Sequence, residues 1–232
     1  MNLRIKSFLN ERPELLFHQV LFKLLGKPNP IHLWEDDKEF IQLMKLIADY
    51  TLVDNKRCFM IYQFIKQISS LKGDVAEVGV FKGGTARLLA EGIKSNNKNL
   101  HLFDTFDGMP QTDPGKDMVK KGDFKNTSLE NVKLYLSAFE NVRYYQGIFP
   151  VSAKPVENLM FSLVHIDVDI YLSAVDCCHF FYSRIVKGGL MIFDDYGQLS
   201  CPGVKDAVDE FFSNKSERPC YLPTGQCVII RL

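Results

Sequence analysis

Two stretches constrain this chain more than any others. Leu163-Val164-His165-Ile166-Asp167-Val168-Asp169-Ile170-Tyr171 and Gly189-Leu190-Met191-Ile192-Phe193-Asp194-Asp195-Tyr196-Gly197 each run an apolar strand pattern straight into two aspartates. Short apolar runs without alternation suit strands covered on both faces, as in a parallel sheet flanked by helices. Carboxylates at the end of such a strand need partners, because an unpaired buried charge is costly.

The same grammar continues after Gly73. Strands are expected at Val75–Val78, Asn99–Phe103, Val142–Gln146, Phe161–Ile166, Leu190–Phe193 and Gln226–Arg231. A shorter one at Cys220–Leu222 pairs with the last across the Pro223-Thr224-Gly225 turn. Helices fit Thr85–Ile93, Leu129–Phe139, Ser173–Ser183 and Val204–Phe212, with Thr127 and Glu130 in capping-box spacing ahead of the second. Upstream, Phe40, Leu43, Met44 and Ile47 share one helical face, and Ile61, Phe64, Ile65 and Ile68 another. Alternating strands and helices predict an α/β domain with a mostly parallel sheet and helices on both faces. At 232 residues and 46% hydrophobic content, the chain is long enough to bury that core.

Lys+Arg and Asp+Glu both number 28, so charge gives no case for a nucleic-acid partner. The six cysteines show neither CxxC nor Cys/His finger spacing, which suits reduced, mainly buried thiols in a cytoplasmic protein. The apolar stretch Leu15–Leu25 is too short to span a bilayer and is interrupted by His18, Gln19 and Lys23. It is expected to be an amphipathic helix packed on the domain or on a second subunit; a membrane-surface anchor is the alternative.

Every predicted parallel strand ends in a polar or glycine-rich signal. These are Glu77-Val78-Gly79-Val80-Phe81-Lys82-Gly83-Gly84, then Asp104, Gly147-Ile148-Phe149, Asp167-Val168-Asp169 and Asp194-Asp195. Ligands of open α/β sheets bind beyond the carboxyl ends of the strands, so one crowded site is expected there. The glycines of the first turn let backbone approach a ligand, or serve tight strand-to-helix packing; their spacing is not GxGxxG, which argues against a dehydrogenase. Glu77, inside an apolar strand, calls for a ligand ammonium or backbone donors. Asp104 suits the two hydroxyls of a ribose, in NAD or in S-adenosylmethionine (SAM).

Asp167, Asp194 and Asp195 would repel one another if their strands are neighbours, and a hard divalent cation resolves that; an all-oxygen set suits Mg²⁺ better than Zn²⁺. His165 reads as a core or supporting histidine, and Asp169 as a cap for the following helix. The polar loop Asp107–Asn126 is expected to be a lid over the site or a surface loop.

These segments together resemble the macrocin O-methyltransferase family, whose members use SAM and Mg²⁺ to methylate sugar hydroxyls. The carrying stretches are DVAEVGVFKGGTARLLAE, LHLFDTFDGMP, KGDFKNTSLENV, VRYYQGIFP, LVHIDVDIYLSA, KGGLMIFDDYGQLSCPGVKDAVDEFF and LPTGQCVIIRL, in family order. The resemblance implies a class I SAM-dependent methyltransferase fold of Rossmann-like type, with a seven-stranded sheet over residues 51–232 and an N-terminal helical extension over 1–50. That extension would be a substrate cap or an oligomer contact, in a homodimer or larger assembly. Asp167, Asp194 and Asp195 match the metal-binding aspartates, with Asp167 also the general base. Glu77, Gly79, Val80, Phe81, Gly83 and Gly84 match the segment that holds the methionine part of SAM. Asp104, Thr105 and Phe106 match the ribose side, and Gly147, Ile148 and Phe149 the adenine side. Thr51 matches a helix-end threonine near the cofactor. The implied acceptor is a small sugar or glycoside; a catechol-type diol, or a non-catalytic SAM-binding role, is the alternative.

Overall fold

The computed structural model describes residues 20, 24 and 33–232. The expected N-terminal helix over Leu15–Leu25 therefore lies outside the described residues, apart from Val20 and Leu24, which are helical. Two compact units divide between Gln42 and Leu43, and the sheet belongs to the unit Leu43–Leu232.

Among the described residues, seven strands form one sheet: β1 Asp74–Val78, β2 Leu100–Asp104, β3 Val142–Gln146, β4 Phe161–Ile166, β5 Ile185–Phe193, β6 Cys220–Tyr221 and β7 Cys227–Ile230. Their order is β3-β2-β1-β4-β5-β7-β6. The first five run parallel, and β7 pairs antiparallel with both β5 and β6. The Cys220–Leu222 segment turns back as expected, with the Leu222 N–H donating to Gln226 O at 2.9 Å. From residue 33 onward the α-helices are α1 Lys38–Ile47, α2 Asn55–Gln67, α3 Gly84–Ile93, α4 Leu129–Tyr135, α5 Tyr171–Phe181 and α6 Pro202–Phe212. None of the helices among the described residues is long and apolar enough to cross a membrane.

Side chains alternate across a strand, so each strand feeds two layers. Ala76, Val78, Val164, Ile166, Met191 and Phe193 share a core with Ala174, Cys177 and Phe181 of α5 and Val204, Val208 and Phe212 of α6. Their strand neighbours Glu77, His165 and Ile192, which stand in register across β1, β4 and β5, face the opposite layer. All six cysteines are free thiols, and only Cys220 is exposed.

Two helix starts differ from the sequence expectation. The Ser128 hydroxyl caps α4 by accepting the Asn131 N–H at 3.2 Å, so the Thr127/Glu130 capping box does not form. α5 begins at Tyr171 and its first N–H is bound at 2.8 Å by Asp117, which reaches over from the long loop. Asp169, expected to cap this helix, instead sits at φ +59° and donates its N–H to Asp195 at 3.2 Å.

Candidate active site

The strand order reverses direction between β1 and β4, and a cavity opens at the carboxyl ends of these strands, where such a switch leaves a crevice. It runs from Gly147, Ile148 and Phe149 past Asp104 and the Gly79–Phe81 turn to Asp167, Asp169 and Asp195. Thr51 lines it from the segment leading into α2, Arg57 from the first turn of α2, and Met109, Pro110 and Phe124 from the long loop.

The glycine turn is shaped by its surroundings. A Cβ on Gly79 would lie 1.8 Å from the Asp167 carbonyl oxygen, and φ there is +88°, so only glycine fits between β1 and β4. A Cβ on Gly84 would meet Thr51 at 2.7 Å, which lets the start of α3 sit against that residue. Asp104 braces the turn: its Oδ2 accepts the N–H groups of Val80 at 2.7 Å and Phe81 at 2.9 Å, while Oδ1 accepts that of Phe106 at 2.7 Å. Oδ2 is filled by its two donors, whereas Oδ1 keeps a further lone pair for a ligand hydroxyl, since the neighbouring Thr105 hydroxyl donates to Gly108 O at 2.6 Å. The Thr127 hydroxyl donates to the Phe81 carbonyl and ties the turn to the loop before α4.

Glu77 is fully buried beneath the cavity. The sequence reading sought a ligand or backbone donors for it; its first partner is His165, whose Nδ1 lies 2.9 Å from Oε1. Oε2 has no hydrogen-bond partner. Burial pushes the Glu77 carboxyl up, against the opposing pull of His165. The other imidazole nitrogen, Nε2, lies 3.4 Å from Asp194 Oδ1. Burial pulls the imidazole down, but the bonds to Asp194 and Glu77 outweigh it and hold His165 up at about 9. His165 is thus a supporting residue bridging two strand-end carboxylates, as its core reading anticipated.

The three aspartates matched to a metal site stand around Asp167, which feels the charge of both Asp194 and Asp195. Asp194 shares a group with Asp167 and His165, whereas Asp195 shares one with Asp169 and Cys201. Asp194 follows directly on β5, its N–H donating to Ile166 O at 2.9 Å, and Asp195 comes next in the turn that leaves the strand. Asp194 is fully buried and held low, since bonds from His165 and the charge of Arg57 overcome burial. The others go the opposite way. Burial, then Asp195 and Asp194, raise the Asp167 carboxyl well above its ordinary range. Burial and Asp169 hold Asp195 up at about 8, and burial holds Asp169 up at about 6. Asp167, Asp169, Asp194 and Asp195 thus outnumber the cations Arg57 and His165, and carboxylate oxygens in excess of positive charge are the donor chemistry a divalent ion relieves. The residues fit Mg²⁺ on that ground. They also fit SAM: the orphaned Glu77 oxygen suits its ammonium, Asp104 its ribose, and Gly147–Phe149 its adenine.

Of the residues anticipated from sequence, Thr51, Gly79, Val80, Phe81, Asp104, Thr105, Gly147, Ile148, Phe149, Asp167 and Asp195 line the cavity. Glu77, Gly83, Gly84, Phe106 and Asp194 lie behind that lining. Arg57 and Gln226 were not anticipated. Arg57 donates to Asp194 Oδ2, and Gln226 Nε2 donates to Asp194 Oδ1 at 2.7 Å. The loop Asp107–Asn126 is folded onto the protein: Met109 and Gly122 or Asp123 exchange backbone hydrogen bonds, and Lys116 pairs with Glu210 at 3.0 Å.

The order β3-β2-β1-β4-β5-β7-β6 with β7 antiparallel, together with the acid at the end of β2 and the glycine turn after β1, is the fold of class I SAM-dependent methyltransferases. The sequence matches the family Macrocin-O-methyltransferase (TylF) over residues 36–220, and the chain belongs to that family of O-methyltransferases. It is 28% identical over 182 residues to demethyldecarbamoylnovobiocin O-methyltransferase of Streptomyces niveus, covering 70% of this chain and 67% of that one. It is 22% identical over 218 residues to 8-demethyl-8-(2,3-dimethoxy-alpha-L-rhamnosyl)-tetracenomycin-C 4'-O-methyltransferase of Streptomyces olivaceus, covering 84% of this chain and 82% of that one. Among solved structures, the O-methyltransferase NovP superposes with a TM-score of 0.68 at 24% identity, over 78% of this chain and 82% of that one. The calicheamicin methyltransferase CalS11 does so with 0.67 at 16%, over 94% and 93%.

Proposed function

We propose that this enzyme methylates a hydroxyl of a sugar or glycosylated small molecule, with Mg²⁺ held by Asp167, Asp194 and Asp195. The observation that carries the reading is the carboxylate cluster opening into the same cavity as the cofactor-fitting turn. The two Streptomyces relatives, named for glycosylated substrates, support the acceptor class. SAM supplies the methyl group from a sulfonium. The metal, when bound, supplies a Lewis acid that lowers the pKa of an acceptor hydroxyl and fixes its orientation. Asp104 and Glu77 orient the donor from its ribose and ammonium ends, and positioning two reactants supplies much of the rate. Asp167 takes the hydroxyl proton as the oxygen forms its bond to the methyl carbon and the carbon–sulfur bond of the sulfonium breaks, leaving S-adenosylhomocysteine.

Asp169 is a second candidate for the base. It lines the cavity, is held at about 6, and belongs to no ligand set in this reading, so its carboxylate stays available for a proton. Residues 1–50 serve as a substrate cap or an oligomer contact, and residues 51–232 form the catalytic domain of a cytoplasmic homo-oligomer. Catechols are the rival acceptors, favoured by the Phe81–Phe124 edge-to-face pair at 6.2 Å beside the cavity.

The decisive experiment follows S-adenosylhomocysteine release over a panel of glycosides, nucleotide sugars and catechols with vicinal hydroxyls. EDTA is expected to abolish transfer and Mg²⁺ to restore it, while Asp194→Ala binds SAM without turning over. Metal-independent turnover would remove the metal from the mechanism, and exclusive use of catechols would remove the sugar.

A further inference from the structure

Arg57 is the single basic side chain among the described residues that line the cavity. It is mounted on the first turn of α2, where Asp54 caps the helix and also accepts the Arg57 Nε–H at 3.1 Å. Its Nη2 reaches Leu52 O at 3.4 Å. From this base the guanidinium donates to Asp194 Oδ2 and lies 4.0 Å from Asp195 Oδ1. The remaining oxygen of Asp194 is claimed by His165 and Gln226. Both oxygens of a fully buried carboxylate are therefore engaged, Oδ2 by the Arg57 guanidinium and Oδ1 by His165 and Gln226.

We propose that Arg57 is a built-in competitor for the metal: its guanidinium neutralises Asp194 in the metal-free enzyme and holds divalent-cation affinity down. The inference rests on the metal reading given above. Two cations that share one carboxylate repel each other, and the interaction of a unit charge with a divalent ion a few ångströms away is large even when screened. Arg57 shares a short segment with Thr51, Leu52 and Val53, which line the same cavity. Arg57 is a positioning residue, acting through Asp194.

The test is Mn²⁺ binding to the full-length protein, read from the electron paramagnetic resonance signal of the free ion. Arg57→Met and Arg57→Gln remove the charge, the second keeping a donor for Asp194. Either neutral variant, once shown to unfold cooperatively, should bind Mn²⁺ about tenfold or more tightly than wild type. Arg57→Lys keeps the charge and should stay within about threefold of wild type. Unchanged or weaker Mn²⁺ binding in a folded neutral variant overturns the proposal, as does a lysine variant that binds as tightly as the neutral ones. If wild type binds no Mn²⁺ and turnover survives EDTA, the metal reading itself has failed, a result distinct from the first.

Discussion

Glu77 is wholly buried, with one oxygen on His165 and the other unpaired, an arrangement that costs free energy until a donor arrives. The ammonium of SAM is such a donor, and Glu77→Gln replaces a charged acceptor by a neutral amide of nearly the same shape. The substitution should weaken SAM binding by about 1.5–3 kcal/mol, roughly 10- to 100-fold, as read by calorimetry. An unaltered affinity would show that the orphaned oxygen has no part in donor recognition. At this scale the sequence was informative where backbone geometry is fixed by neighbours, as at Gly79. It was silent on Arg57, whose partner Asp194 lies 137 residues away and whose own helix start marks it only as a surface cation.

The long loop shows how one element supports another. Asp117 accepts the Tyr171 N–H at the start of α5 through Oδ1 and the Asp113 N–H through Oδ2, both at 2.8 Å. A single side chain thus closes the loop on itself and caps the helix that follows the Asp167–Asp169 segment. Asp117→Ala should lower stability by about 1–2 kcal/mol, seen as a shift of the urea midpoint with unchanged slope. Asp117→Asn, which can still cap, should recover part of it; equal loss in both variants would place the effect elsewhere. The strands were legible because buried parallel strands print continuous apolar runs. Helix ends were less so. α4 stops at Tyr135, although Leu136 and Phe139 extend its apolar spacing, since both side chains stay buried from the turn that follows. A cap supplied from 54 positions away leaves no local trace.

For the molecule as a whole, net charge is zero, so self-repulsion between surface charges contributes little and the buried site dominates the pH response. Asp169 and Asp195 have folded pKa values held up at about 6 and about 8, against an ordinary aspartate near 4. The folded state therefore binds more protons than the unfolded one between those limits, and stability falls as pH rises through them. His165, held up at about 9 from an ordinary 6.5, acts in the same direction: its contribution is complete below 6.5 and is lost as pH rises through 9. The metal-free protein should accordingly lose Tm steadily from pH 6 to pH 9. A divalent cation binds only the ionised carboxylates of the folded state, so its stabilisation must grow over the same interval. Scanning calorimetry with EDTA and with saturating Mg²⁺ should give two curves that diverge as pH increases, and Asp195→Asn should flatten the metal-free curve between pH 6 and 8. A metal-free Tm that rises with pH in that interval would mean that these carboxylates are already ionised and paired in the folded protein, and that the charge excess assigned to the site is not there.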